Sequence, residues 1–321
     1  MKHLNEHEQF NLFLKQTAEK MGLSIGVVEK DYWVTRILRE LASSEFAGEF
    51  IFKGGTSLSK IWFEDFGRFS EDIDILLTTK SKHRSDMIKR LKEFVNFVDS
   101  INGIDFVREN STDLEKDIIG GEFYYKYAGF YNKDIPEFIK REILLEPGYR
   151  GGSYPTIKKE MNSFVASTIL SHFDNQIPSE LLEYKDDINS FSLQVLGPER
   201  IFLEKLDAIK NSYNRGKIVE STRHYYDLYN LIELDEIQSL KYSRDKIKEI
   251  LEDISKNSKK YYGVKEPLTL ESIKACEALS ANFSGISQLE DRYKKESGLY
   301  YKEQPDFQTM INQINKFVQE L

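Results

Sequence analysis

Residues 52–77 read FKGGTSLSKIWFEDFGRFSEDIDILL, and they hold the side chains whose types and spacing can do chemistry. A glycine turn, Gly54-Gly55-Thr56-Ser57, comes first, and an acidic pair, Asp72 and Asp74, follows on an apolar run. Residues 72–77 read as a short strand. Side chains alternate faces along a strand, so Asp72 and Asp74 share one face while Ile73 and Ile75 share the other. Asp is disfavoured in strands, and two like charges on one face push a proton onto one of them. A divalent cation held by both carboxylates offsets that cost. Mg²⁺ is usually held this way, by one or two carboxylates plus substrate phosphates, and paired metals clamp both the attacking and the leaving oxygen of a displacement.

The glycine half supplies the complement. Ile51 and Phe52 read as the end of a strand. Gly54 and Gly55 allow a tight turn and a close backbone approach. Thr56 or Ser57 can cap a helix over 57–63, whose first N–H groups then face an anion. Lys60, about one turn in, can reach a phosphate as a point charge, and Arg68 and Ser70 precede the acidic pair, where they can hold a triphosphate. Alone, a glycine turn is most often only a turn and an Asp-x-Asp most often a solvated strand edge. Their occurrence in this order, within one unit, favours a phosphate cradle beside a metal clamp.

The motifs GGTSLSK and RFSEDIDI, preceded by EKDYWVTRILREL, resemble the AbiEii/AbiGii toxin family of nucleotidyltransferases. That family belongs to the DNA polymerase β-like superfamily, whose signature is a GS or GG-[ST] turn followed by a DxD-type pair. The resemblance extends over most of the chain, with dense motifs at 53–60, 68–74, 204–205 (EK) and 223–227 (RHYYD). It implies an α/β (α+β) fold, a polymerase β-like lobe with a mixed sheet followed by a C-terminal helical bundle. It implies Mg²⁺-dependent transfer of a nucleoside monophosphate from an NTP, with Asp72 and Asp74 as catalytic metal ligands. It makes Lys205 a functional lysine at the nucleotide phosphates and Asp227 a functional aspartate, with Arg223 beside the nucleotide. His224 stands where Asp is common. A third carboxylate is expected on a neighbouring strand as metal ligand or base. FIKREILLE (138–146) reads as that strand; Glu142 fits the role, and Glu146, on the same face, is its rival. The resemblance further implies a toxin of a toxin–antitoxin or phage-abortive system with a separately encoded antitoxin. Some relatives act on the acceptor end of tRNA, which makes tRNA the first acceptor to expect.

The rest of the chain must position these residues. With 321 residues, 40% hydrophobic and 31% charged, the composition is that of a soluble globular protein. The length accommodates a nucleotidyltransferase domain over 1–196 and a helical domain over 197–321. No run is long enough to span a bilayer, and MKHLNEHEQF lacks the apolar core of a signal peptide. Cys276 is the single cysteine, so a disulfide framework and a cysteine metal cluster are excluded. A cytoplasmic protein is expected. The net charge of −8 obliges any nucleic-acid contact to use a local basic patch.

Residues 5–42 read as two helices, the second capped by Ser24, with Val28, Tyr32, Trp33, Ile37 and Leu38 as a core stripe. Lys30 and Asp31 are supporting residues at most. The basic stretch 80–92 (Lys80, Lys82, Arg84, Lys89, Arg90, Lys92) reads first as a solvated helix face and second as an RNA-backbone contact. Asn102-Gly103 and Gly120-Gly121 mark turns of one or two hairpins, and Tyr124, Tyr125 and Tyr127 pack a sheet. Residues 191–196 form a final strand. From Pro198 the chain is helical, with Ile201, Phe202, Leu206 and Ile209 on one side. Arg223 and Asp227, four apart, share a helix face and can pair. Two other classes stay open on the sequence: a nucleotidyltransferase acting on a protein or small molecule, and a nucleotide-binding module without catalysis.

Overall fold

The computed structural model describes residues 2–63, 66–79, 81, 83–110, 119–137, 139–262 and 266–321, the side chains of 261 and 262 excepted. Lys80, Lys82 and Phe138 therefore lie outside the described residues. The chain divides into two compact units. The first comprises Met1–Glu64, Phe69–Tyr149 and Lys158–Val195; the second comprises Asp65–Arg68, Arg150–Ile157 and Leu196–Leu321. The second unit thus takes two short segments that precede the change in composition near 197.

Apart from the ends of β6 and β7, the first unit carries the sheet. Its strands are β1 (Phe50–Lys53), β2 (Ile73–Leu77), β3 (Ile104–Asn110), β4 (Glu122–Tyr127), β5 (Ile143–Gly148), β6 (Thr156–Met161) and β7 (Phe191–Leu196). Among the described residues these form one mixed sheet in the order β3-β4-β5-β2-β1-β7-β6. β1–β2, β3–β4 and β4–β5 are antiparallel, while β2–β5 and β1–β7 are parallel. The central strands are nearly continuous apolar runs, as strands covered on both faces must be: Phe50, Ile51, Phe52, Ile73, Ile75, Leu76 and Leu77 are all buried.

Helix α1 (Phe10–Met21) ends on Gly22, whose φ of 66° provides the left-handed cap. Helix α2 (Ile25–Ala42) starts on Ser24, whose Oγ accepts from the Val27 N–H. The apolar stripe of α2 is buried as its spacing requires, but its charged residues Glu29, Lys30, Asp31, Arg36 and Arg39 are buried too. It is therefore an interior helix whose polar side chains must all find partners. Helix α3 (Gly54–Ser57) runs on into a π-helical turn over Leu58–Trp62. Helix α4 (Arg84–Asp99) packs Phe94 on Phe46 and Phe50, with ring centroids 5.2 and 6.2 Å apart. The basic face expected there is only partly free. Arg90 lies over the Phe46 ring and pairs with Glu45, Glu49 and Glu93, while Lys89 and Lys92 are exposed. Helices α5 (Phe164–His172) and α6 (Lys185–Ile188) complete the unit. Tyr124, Tyr125 and Tyr127 are buried in the sheet, as expected. Asn102-Gly103 turns α4 into β3, and Gly120 bridges to Gly148 ahead of β4.

The second unit is helical: α7 (Pro198–Asn214), α8 (Thr222–Leu231), α9 (Asp235–Gln238), α10 (Arg244–Tyr262), α11 (Leu270–Lys274), α12 (Ile286–Lys295) and α13 (Phe307–Glu320). Pro198 stands in the first turn of α7, where its missing N–H costs nothing. Tyr300 packs against Tyr226 and Tyr293 at 4.7 and 5.0 Å. No described helix is long and apolar enough to cross a membrane.

Candidate active site

Asp74 sits at the centre of the sheet, and register decides its neighbours. Across the antiparallel pair it faces Lys53 of β1; across the parallel pair it faces Glu146 of β5. Paired residues project from the same face of a sheet, so Asp74 and Glu146 stand side by side. Burial, and then the charges of Asp74 and Asp72, push the Glu146 carboxyl up to about 8. Like-charge crowding thus disfavours the ionised form of Glu146. Asp72 immediately precedes β2, and its Oδ1 is buried without a hydrogen-bond partner; the Lys140 ammonium is 3.8 Å from that oxygen.

Glu142 is elsewhere. The strand expected over 138–146 begins only at Ile143. Glu142 lies before it and binds Arg108 Nη1 at 2.7 Å, with the Arg108 guanidinium over the Tyr124 ring at 3.9 Å. The placement expected of Glu142 is corrected: it stands off the strand, and its rival Glu146 is the carboxylate paired with Asp74. Residues 142 and 146 share strand parity, so alternation alone cannot choose between them. The pairing of β5 on β2 chooses.

The glycine turn follows β1 directly. Gly54 has φ +79°, and a methyl group there would overlap the Asp74 carboxylate. Both the conformation and the close approach require glycine. The helix starts at Gly54, three residues earlier than expected, with Lys53 as N-cap and no side-chain cap bond. Thr56 and Ser57 therefore do not cap it. The Thr56 hydroxyl donates to Ser70 Oγ at 3.0 Å and the Ser57 hydroxyl to the Gly54 carbonyl at 2.8 Å. Gly55 continues the same turn of helix. The structure also redirects Lys60 from the phosphate expected of it: its ammonium pairs with buried Asp31 and lies over the Phe164 ring at 4.8 Å. Lys30, fully buried, binds Glu71, and burial pushes the ammonium down and the Glu71 carboxyl up.

In the second unit, Arg68 and Lys205 converge on Asp227. Arg68 Nε and Nη2 each donate to the carboxylate at 2.9 Å, and Lys205 Nζ donates to Oδ2 at 2.7 Å. Burial raises the Asp227 carboxyl, but Arg68 and Lys205 outweigh it and hold the group down at about 2. His224, wholly enclosed, is pushed down to about 3 by burial and by Lys205, so it is neutral. Arg223 does not pair with Asp227. It is half exposed and lies 3.5 Å from Glu296. The expected Arg223–Asp227 pair is corrected: α8 turns Asp227 inward, and Arg68 and Lys205 take it.

Among the described residues, no group of three His, Cys, Asp or Glu side chains is already drawn together as a metal site. The donor chemistry beside Gly54 nonetheless suits a hard divalent cation. Asp72, Asp74 and Glu146 offer only oxygen, one Asp72 oxygen is buried without a partner, and like charges crowd the face.

Residues 36–313 match the family model of the nucleotidyl transferase AbiEii toxin of type IV toxin–antitoxin systems. The chain belongs to this family. As an AbiEii protein it is a nucleotidyltransferase and a toxin, and the type IV system implies an NTP substrate and a cognate antitoxin. No curated protein matches the chain. Among solved structures, MenT4, a nucleotidyltransferase toxin from Mycobacterium tuberculosis, aligns with a TM-score of 0.51 over 95% of this chain and 98% of its own, at 16% identity. JHP933 from Helicobacter pylori aligns over 89% of this chain and 88% of its own, with a TM-score of 0.42 and 16% identity. The first of these likenesses supports the α/β fold. Within this AbiEii chain, the sequence motifs marked Asp72, Asp74 and Gly54 but passed over Glu71, and they ranked Glu146 second. A signal for Glu71 was present, since it adjoins the acidic pair, but a glutamate beside two aspartates reads as surface charge.

Proposed function

We propose that the protein transfers a nucleoside monophosphate from an NTP to the acceptor end of an RNA, tRNA first, in a Mg²⁺-dependent reaction. The observation that supports this most is the row across β1, β2 and β5, where Asp74 faces Glu146 and closes on the positive-φ Gly54. Asp72 and Asp74 would hold the cation, which when bound neutralises phosphate charge and polarises the α-phosphorus. The turn from Gly54 to Ser57, with Ser70 bonded to Thr56, would bring backbone N–H groups to the triphosphate. Glu146, paired with Asp74 across the two strands, would complete the cation site or, once a bound cation offsets the charges of Asp72 and Asp74 and lets it ionise, take the proton of the attacking hydroxyl. The hydroxyl oxygen then bonds to the α-phosphorus as the bond to the β-phosphate bridging oxygen breaks, and pyrophosphate leaves. Roles for Lys205, Asp227, Arg68 and Arg223 at the nucleotide rest on the sequence reading. The tRNA acceptor rests on the family resemblance.

The test is incubation of the purified protein with Mg²⁺, each α-labelled NTP in turn and total tRNA. Label in RNA supports the proposal. Label in protein or a small molecule moves the acceptor, and NTP binding without transfer to anything defeats the catalytic reading.

A further inference from the structure

Three consecutive residues of α2, Glu29, Lys30 and Asp31, are buried, with exposures of 0, 0 and 3%. At 3.6 residues per turn their side chains leave the helix in three directions. Each ends on the backbone of a different segment. The Glu29 carboxylate accepts from the N–H groups of Phe130 and Tyr131, both at 2.8 Å. Asp31 accepts from the Phe164 N–H at 2.8 Å and from Lys60 of the glycine-turn helix. The Lys30 ammonium uses all three of its donors: on Glu71, on the Lys140 carbonyl at 2.5 Å and on the Glu142 carbonyl at 2.9 Å. Glu71 in turn accepts from the Lys140 N–H at 3.1 Å.

These end points are the lead-ins to both acidic strands. Glu71 adjoins Asp72, and Glu142 adjoins Ile143, where β5 begins. A buried ion pair is a weak source of stability compared with apolar residues of the same volume, and setting a register is the best attested reason to keep one. We propose that Lys30, through Glu71 and the two carbonyls, is a positioning residue for nucleotidyl transfer, fixing the register in which Asp72, Asp74 and Glu146 share a face. This rests on the reading of that face as the reacting site. A slip of one residue between β2 and β5 would turn Glu146 to the opposite face, so the effect should reach the rate before it reaches nucleotide affinity.

The experiment compares the full chain with the double variant Lys30→Met/Glu71→Met, which strands no charge, and with Arg39→Met. Arg39 lies on the same helix and is also buried, but it donates to the carbonyls of Asp186, Asp187 and Asn189 and lies 3.6 Å from the Asp187 carboxylate. Transfer is measured at equal folded fraction, and amide exchange is followed over residues 143–146. The double variant should lose roughly 10²-fold in kcat with the KM for NTP changed less than about twofold, and amides 143–146 should exchange at least about tenfold faster. Arg39→Met should do neither. A double variant that retains kcat within about threefold, or that slows transfer no more than Arg39→Met does, overturns the inference. So does unchanged exchange at 143–146, which needs no acceptor. Failure of the intact protein to transfer label defeats the proposed reaction instead, and the exchange comparison then decides the positioning claim alone.

Discussion

Glu146 and Glu142 differ by four positions and by everything that matters to a carboxylate. Glu146 is crowded by Asp74 and Asp72, and Glu142 is neutralised by Arg108. Glu146→Gln should therefore cost transfer about 10²-fold or more, while Glu142→Gln should stay within about threefold in the same label-incorporation assay. Asp227 carries a second residue-scale prediction. Its folded value is about 2 against an ordinary 3.8, so the stability it contributes is present above about 3.8 and is lost as pH falls towards about 2. Near neutral pH, Asp227→Asn should be destabilised by about 3–5 kcal/mol, because Arg68 and Lys205 are left buried without their counter-charge. The gap between its thermal midpoint and that of the wild type should narrow as pH falls through this window. A loss of activity in Asp227 variants must accordingly be read at matched folded fraction. Asp72 and Asp74 were legible in the sequence because two aspartates on an apolar strand are out of place there. The partner of Asp227 was not, because a shared helix face shows only which residues are close along α8. Arg68, which pairs with Asp227, lies 159 positions away in the chain.

Among the elements, the glycine turn leaves no room for a side chain at Gly54. Gly54→Ala forces a side chain into the left-handed region and into the Asp74 carboxylate, and should lower stability by roughly 1–3 kcal/mol and abolish transfer. Gly48, beside which a methyl group meets nothing within 4 Å, provides the control; Gly48→Ala should leave both the thermal midpoint and the rate unchanged. The helices of 5–42, the strand ending at Phe52, the strand over 191–196 and the start of α7 at Pro198 were all legible, because caps, apolar periodicity and proline act locally. The start of α3 at Gly54 was not, since two glycines read as a turn by propensity and become helical only with β1 feeding into them. Nor was the start of β5 at Ile143. Residues 139–142 continue the parity of those after them, but the carbonyls of Lys140 and Glu142 accept from the Lys30 ammonium, a partner 110 and 112 positions away in the chain.

For the whole molecule, the change from a mixed to a helical pattern near 197 was visible as a change of period. The assignment of 65–68 and 150–157 to the second unit was not, because the partners of such short segments are fixed by tertiary contacts such as the Tyr226 hydroxyl on the Phe66 carbonyl at 2.8 Å. The net charge of −8 sets a further expectation. If the acceptor is RNA, it is held through local cations against an unfavourable field, and its affinity should fall steeply and linearly in log–log form with salt; a small-molecule acceptor should show no such slope. The central claim, that the face bearing Asp72, Asp74 and Glu146 performs nucleotidyl transfer, meets its most direct test in label transfer from α-labelled NTP to tRNA by the intact protein, Asp74→Ala and Glu146→Gln. The expected result is label in RNA with the intact protein and its loss in both variants, with NTP still bound. Undiminished transfer by Asp74→Ala, or NTP binding by the intact protein with no transfer to any acceptor, would contradict it.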